Sequence, residues 1–168
     1  MANLFGTNLT ATGQPPGTVS LNHSRRRITT CQYSGVGTAG QDVIVFGYNK
    51  SSDIVSSIRV SVVDNSATTG TMDVGLYTAD FSNGGTVLTA VDSDLFETTP
   101  FVINADIAYP GTEVIVEGND VTLRALPLWS VAGQTSDPGV TYAICGTIAA
   151  TIDSTIDMLV EIEYTAGD

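Results

Sequence analysis

The sequence predicts an all-β protein, a two-sheet, jelly-roll-like β-sandwich. It has an extended N-terminal arm over residues 1–27 and at most one short helix in a body of residues 28–168. Three observations lead there. Apolar and polar residues alternate repeatedly, as Ile58, Val60 and Val62 do against Arg59 and Ser61. Turn formers separate these stretches, most clearly Asn83-Gly84-Gly85 and Ser136-Asp137-Pro138-Gly139. Thr, Ser and Gly abound while Lys50 is the only lysine, a bias toward pleated strands and tight turns. A sheet with one apolar face must bury it against another layer, which makes a sandwich or jelly roll the natural closure.

Residues 1–24 sustain no period, and Gln14-Pro15-Pro16-Gly17 breaks them. Leu4, Phe5, Leu9, Val19 and Leu21 are scattered, as in a segment that lies along another surface. Strands begin after Arg27, with Ile28 to Tyr33. The unbroken apolar run in Asp42 to Tyr48 suits a strand buried on both faces. Ile54 to Val63 follows. In Thr71 to Thr78, Met72, Val74 and Leu76 face one way and Asp73, Gly75 and Tyr77 the other. The Asn-Gly-Gly turn leads into Thr86 to Val91.

Between 92 and 127, Phe96, Phe101, Ile103 and Ile107 are apolar anchors interrupted by Pro100 and Pro110. Glu113 to Glu117 reads as a short strand. Asn119-Asp120 reads as the cap of a brief helix running to Leu126, with Pro127 ending it. Thr141 to Ile148 turns Tyr142, Ile144 and Ile148 inward. Ile156 to Tyr164 places Ile156, Met158, Val160, Ile162 and Tyr164 on one face, and Asp157, Leu159, Glu161 and Glu163 on a solvated one. That gives about eight strands.

Charge narrows the partners. The net charge of -12 is opposed to nucleic-acid binding, which needs a basic face. Residues 1–27 carry Arg25, Arg26 and Arg27 and no acid, so a basic arm is joined to an acidic body. Arg forks suit carboxylates, on a partner or on the body itself. No charged and apolar leader opens the sequence, and no apolar run is long enough to cross a bilayer. Cys31 and Cys145 are too few for a disulfide framework. The expectation is a reduced protein made in a cytoplasm, without a membrane partner.

Catalytic patterns fail on their physical requirements. Gly35-Val-Gly37-Thr-Ala-Gly40 matches the dinucleotide pattern in letters, but a strand follows it where a helix N-terminus must receive the pyrophosphate. His23, the only histidine, lies in the polar arm with no orienting carboxylate near it in sequence. One histidine and two distant cysteines make no zinc site. Asp92 with Asp94, and Glu161 with Glu163, are spaced to share a strand face, but no calcium-loop pattern accompanies them. The sequons at Asn8, Asn22 and Asn49 follow from an Asn/Ser/Thr-rich composition. No enzyme, cofactor or metal is expected.

One set of motifs resembles a known group. Asp73-Val74-Gly75-Leu76-Tyr77, then Asn83-Gly84-Gly85, then Leu128-Trp129 and Ser136-Asp137-Pro138-Gly139-Val140-Thr141-Tyr142 occur in an order similar to small all-β virion proteins of tailed bacteriophages. The likeness covers about residues 54–165 and leaves the arm unmatched. Pro127 before the Leu-Trp element, and the lack of an acid soon after Trp129, depart from the pattern. The resemblance implies a head decoration, or cement, subunit on the capsid exterior. It would bind the major capsid protein, bridge capsomers, and assemble as a homo-oligomer, with a trimer implied by lattice symmetry. Leu4, Phe5, Leu9, Arg25, Arg26 and Arg27 are the candidate contacts with capsid or neighbouring subunit. Trp129, Asp137, Pro138 and Gly139 are assigned structural roles, plugging one end of the sandwich and launching the terminal hairpin. The rival reading is a carbohydrate- or receptor-binding module of a fibre, stacking sugars on Trp129, Tyr109 or Tyr142.

Overall fold

A computed structural model describes residues 2–5, 7–8, 26–40, 42–63, 67–81, 87–97, 99–115 and 124–167. In chain order the elements are β1 (Ala2–Phe5), β2 (Thr7–Asn8), β3 (Arg26–Gly37), β4 (Asp42–Lys50), β5 (Ile54–Val63), β6 (Thr71–Asp80), β7 (Val87–Asp92), β8 (Phe101–Val102), β9 (Ile107–Glu113), α1 (Leu128–Val131), β10 (Thr141–Ala150) and β11 (Ile152–Thr165). They form two sheets. One runs β1-β4-β10-β6-β7 with β8 also on β6, and the other runs β2-β3-β11-β5-β9.

The pairings are nested. β6 pairs with β7, β5 with β9, β4 with β10 and β3 with β11, all antiparallel. Cross-pairs β10 with β6 and β11 with β5 then divide this long ribbon into two sheets. That winding is a jelly roll, so the expected all-β sandwich is the fold observed.

The core lies between the sheets. Ile58, Val60 and Val62 of β5 and Ile156, Met158, Val160 and Ile162 of β11 meet Ile44 and Phe46 of β4, Met72, Val74 and Leu76 of β6, and Ile144 and Ile148 of β10. Alternation selects these residues, because side chains two apart share a face. Gly146 makes room for the centre: a Cβ there would lie 2.5 Å from Phe46 Cζ and 2.9 Å from Met72 Sδ.

The first sheet is buried on both faces through its middle. Val43, Val45, Tyr77, Ala143 and Cys145 form a second apolar cluster on its outer side. The unbroken run of β4 follows from this, and so does the burial of Tyr77, which alternation alone places on a polar face.

Two local expectations are corrected. The strand expected at Glu113 to Glu117 lies upstream, at β9, and Val114 and Ile115 are buried in the turn after it. β9 carries Pro110 because it is a sheet edge, where a missing N–H breaks no ladder. Pro127 is also the extended N-cap of α1, which follows a short 3₁₀ turn at Arg124 and Ala125. Asp94 does not share a strand face with Asp92, since β7 ends at Asp92 and Asp94 lies in the following turn. The expected cap at Asn119-Asp120 lies outside the described residues.

Candidate functional site

The Trp129 region is a hydrogen-bonded clasp at the end of the sandwich where β4 turns into β5. Leu128 N donates to Asp53 O and Trp129 N to Ser51 O, both at 2.9 Å, so the turn replaces the missing helical acceptors of α1. Asp53 is 4% exposed and is the hub. Its Oδ2 accepts from Lys50 N at 2.9 Å and Asn49 Nδ2 at 3.5 Å, and its Oδ1 accepts from Gly167 N at 3.0 Å. Ser51 Oγ donates to Asp137 Oδ1, which also takes Gly139 N at 2.8 Å. These bonds hold the Asp137 carboxyl below its ordinary range, the Ser51 hydroxyl first. Gly139 adopts φ 65°, the left-handed turn position that glycine fills without strain. Leu128 is buried and Trp129 half-buried against the core.

The basic residues lie at the same end of the second sheet, where Arg26 of β3 registers with Thr165 of β11 and Thr165 with Ile54 of β5. Arg26 starts β3 and its guanidinium pairs with Glu163 of β11, which also accepts from Ser56 Oγ at 3.1 Å. The Arg26 hydrogen bond is the main cause that lowers the Glu163 carboxyl, and the same bond raises Arg26. Arg26 thus faces the protein's own acidic body. Arg27 is exposed, opposite Tyr164. Leu4 and Phe5 lie in β1, in parallel register with Ile44 and Val45. Leu9, His23 and Arg25 lie outside the described residues.

An acidic corner, which spacing alone does not reveal, gathers at the β6–β7 edge. Between the stretches of β6 paired with β7 and with β8, Val74 lacks a strand partner on that side. The turn after β7 fills the gap: Phe96 N donates to Val74 O at 3.0 Å, and Glu97 Oε1 accepts from Val74 N at 2.5 Å. Glu97 is 3% exposed, and burial pushes its carboxyl up to about 8. Asp73 is raised by burial and then by Asp94, and Asp92 by sharing a hydrogen bond with the Asp94 carboxyl. No group of three potential metal ligands is arranged around a common point among the described residues.

A further ionic group joins β5, β9 and the chain beyond. Glu113 accepts from Ile58 N at 2.8 Å and from Ser57 Oγ, with Arg59 Nε at 3.7 Å and Arg124 Nη2 at 3.5 Å. Farther along the same sheet, a shallow groove of about 380 Å³ runs over the outer face between Gln32, Ser34, Val63, Asp157 and Leu159. Of the aromatics proposed as sugar platforms, Tyr142 is buried and Trp129 half-buried, while Tyr109 is exposed on the edge strand β9. The Gly35-to-Gly40 stretch ends β3 and turns directly into β4, so no helix N-terminus stands there.

No protein-family model matches the chain, and no curated protein matches it either. Among solved structures, a chain of "Capsid of Ralstonia phage GP4" is similar at 15% identity and a TM-score of 0.57, over 99% of each chain. A chain of "Cyanophage Pam1 capsid asymmetric unit" is similar at 13% identity and a TM-score of 0.48, over 94% of this chain and 96% of that one. The first likeness shows the fold: over its whole length the chain has the all-β architecture of a chain in a phage capsid structure.

Proposed function

We propose that this chain is a structural protein of a bacteriophage virion: a decoration subunit that binds the outer surface of a tailed-phage head and stabilises it by bridging capsomers. The fold likeness to a chain of the Ralstonia phage GP4 capsid, end to end on both chains, is the observation that carries this reading. The motif order from Asp73 to Tyr142 supports the exterior, non-enzymatic role. So does the use made of the polar side chains: Asp53, Glu97 and Glu113 accept backbone N–H groups, and Asp137 joins Gly139 N to the Ser51 hydroxyl. In this reading the major capsid protein is the partner and copies assemble as a homotrimer. The candidate contact residues are Leu4, Phe5, Leu9 and Arg25 to Arg27.

The test is cosedimentation of the purified chain with heads that lack it, followed by cryo-electron microscopy of the decorated particles. Stoichiometric density on the shell exterior is expected. Charge reversal by Arg26→Glu and Arg27→Glu weakens attachment and makes the remainder less salt-sensitive, because fewer charge contacts are left to screen. Failure of the unaltered chain to bind heads of the phage that encodes it overturns the reading.

A further inference from the structure

We infer that residues 2–8 are an exchangeable strand, and that the β3 and β4 edges accept this segment from a second copy of the chain. The inference rests on the sheet edges and on the length of chain that joins them, and stands whether or not the chain decorates a head.

The two flanks of the sandwich are finished differently. On one, β9 has Pro110, a left-handed Gly111 at φ 86° and a register shift opposite Val60 to Val62, while β7 has a register shift opposite Leu76 to Tyr77. Such edges template poorly, because their N–H and C=O rows are out of step with an incoming strand. On the other flank, β3 and β4 are long and close together, with Cys31 Sγ 3.4 Å from Val45 O. The β4 edge residues Val43 and Val45 are apolar and buried. What closes this flank is the N-terminal segment: β1 on β4 from Ala2↔Asp42 to Phe5↔Val45, then β2 on β3 at Thr7↔Gln32 and Asn8↔Cys31. One short stretch therefore caps both sheets by main-chain pairing, the mode by which a strand is added from another chain.

The connection is far longer than self-pairing needs. Asn8 lies opposite Cys31, five residues into β3 from Arg26, so the ends of the 9–25 connection are about 18 Å apart. Fully extended, that connection reaches about 60 Å. The surplus of about 40 Å is enough to cross to a neighbouring copy. β1 is also parallel to β4, the only parallel pairing among the described strands, so it is not the return arm of a hairpin. The same backbone bonds form whether the strand comes from the same chain or the next, and exchange of an identical element is a low-cost route to an oligomer.

The test uses paired cysteines in the full chain, without particles. Cα partners across a strand pair lie within disulfide range, so Ala2→Cys on one copy and Asp42→Cys on another link only if the strand is exchanged. Asn3→Cys with Val43→Cys is the second pair, in case Asp42→Cys disturbs its bond to Thr38 N. Cys31 and Cys145 are buried and do not compete. Mixing the two single variants under mild oxidation should give a covalent dimer at twice the chain mass. Closure solely within one chain in the Ala2→Cys/Asp42→Cys double variant, or no link with either pair, overturns the inference. So does a monomer by light scattering at tens of micromolar. Failure here leaves head binding untouched, and failure of head binding leaves exchange untouched.

Discussion

Glu97 Oε1 accepts the Val74 amide hydrogen at 2.5 Å, standing in for a strand carbonyl in the middle of the Asp73-to-Gly75 stretch of β6 that neither β7 nor β8 reaches. A side chain here does the work of a ladder, and the carboxyl is buried beside Asp73 and Asp94. Its folded-state value, about 8, exceeds the ordinary 4.5. Between those values the folded chain holds a proton that the unfolded chain releases. Stability from this group is therefore full below pH 4.5 and is lost as pH rises through 8. Glu97→Gln keeps an acceptor oxygen and removes the titration. From pH 5 to pH 9 the wild type should lose about 2 kcal/mol relative to this variant, less than the full shift implies because solvent and chain relax around the charge. Urea midpoints across that range measure it, and parallel pH profiles would refute it.

Asp53 holds three backbone or amide donors at a site closed to water. Asp53→Ala leaves Lys50 N and Gly167 N unpaired and should cost about 3 kcal/mol in urea unfolding. Because Trp129 is the only tryptophan and its amide bonds the same turn, its fluorescence should move to longer wavelength in the variant even while the fold persists.

Gly146 is a packing requirement at a position where its φ is ordinary. Gly146→Ala forces Phe46 and Met72 apart and should destabilise by about 2 kcal/mol, read as a drop of several degrees in the thermal midpoint. Gly133→Ala, where a Cβ meets nothing within 4 Å, should show only the smaller cost of its φ of 73°.

Both thiols are inert for the same reason. Burial pushes Cys31 up to about 11 and raises Cys145 still further. Neither should react with a thiol reagent at pH 8 in the folded chain, and both should react in denaturant. Rapid labelling of either thiol without denaturant would contradict their placement in the core.

Most of the fold was legible because it rests on period-two patterning. β5 and β11 read directly from Ile58, Val60, Val62 and Ile156, Met158, Val160, Ile162, and β4 from its unbroken run. β9 was not legible, since Pro110 and Gly111 erase the alternation and only an edge tolerates them. Pro127 reads in the sequence as a helix end, and that it also starts α1 depends on acceptors in the β4–β5 turn. The pairing of Leu4 and Phe5 with Ile44 and Val45 spans too much chain to leave a local signal. Glu97 was invisible as anything but an acid, because its role depends on a gap between two other strands.

The nested pairing of the strands also sets an order of events during synthesis. The β6–β7 hairpin can form as soon as it is made, but each outer pair waits for a later strand, and β3 waits for β11. Until β11 emerges, Ile58, Val60 and Val62 have no neighbour on one side and the apolar faces of both sheets stay open. Closing such distant pairs is slow, and the half-made chain offers sticky edges to other nascent chains. A ribosome stalled before Ile152 should therefore display a protease-sensitive chain, whatever its upstream strands have already achieved.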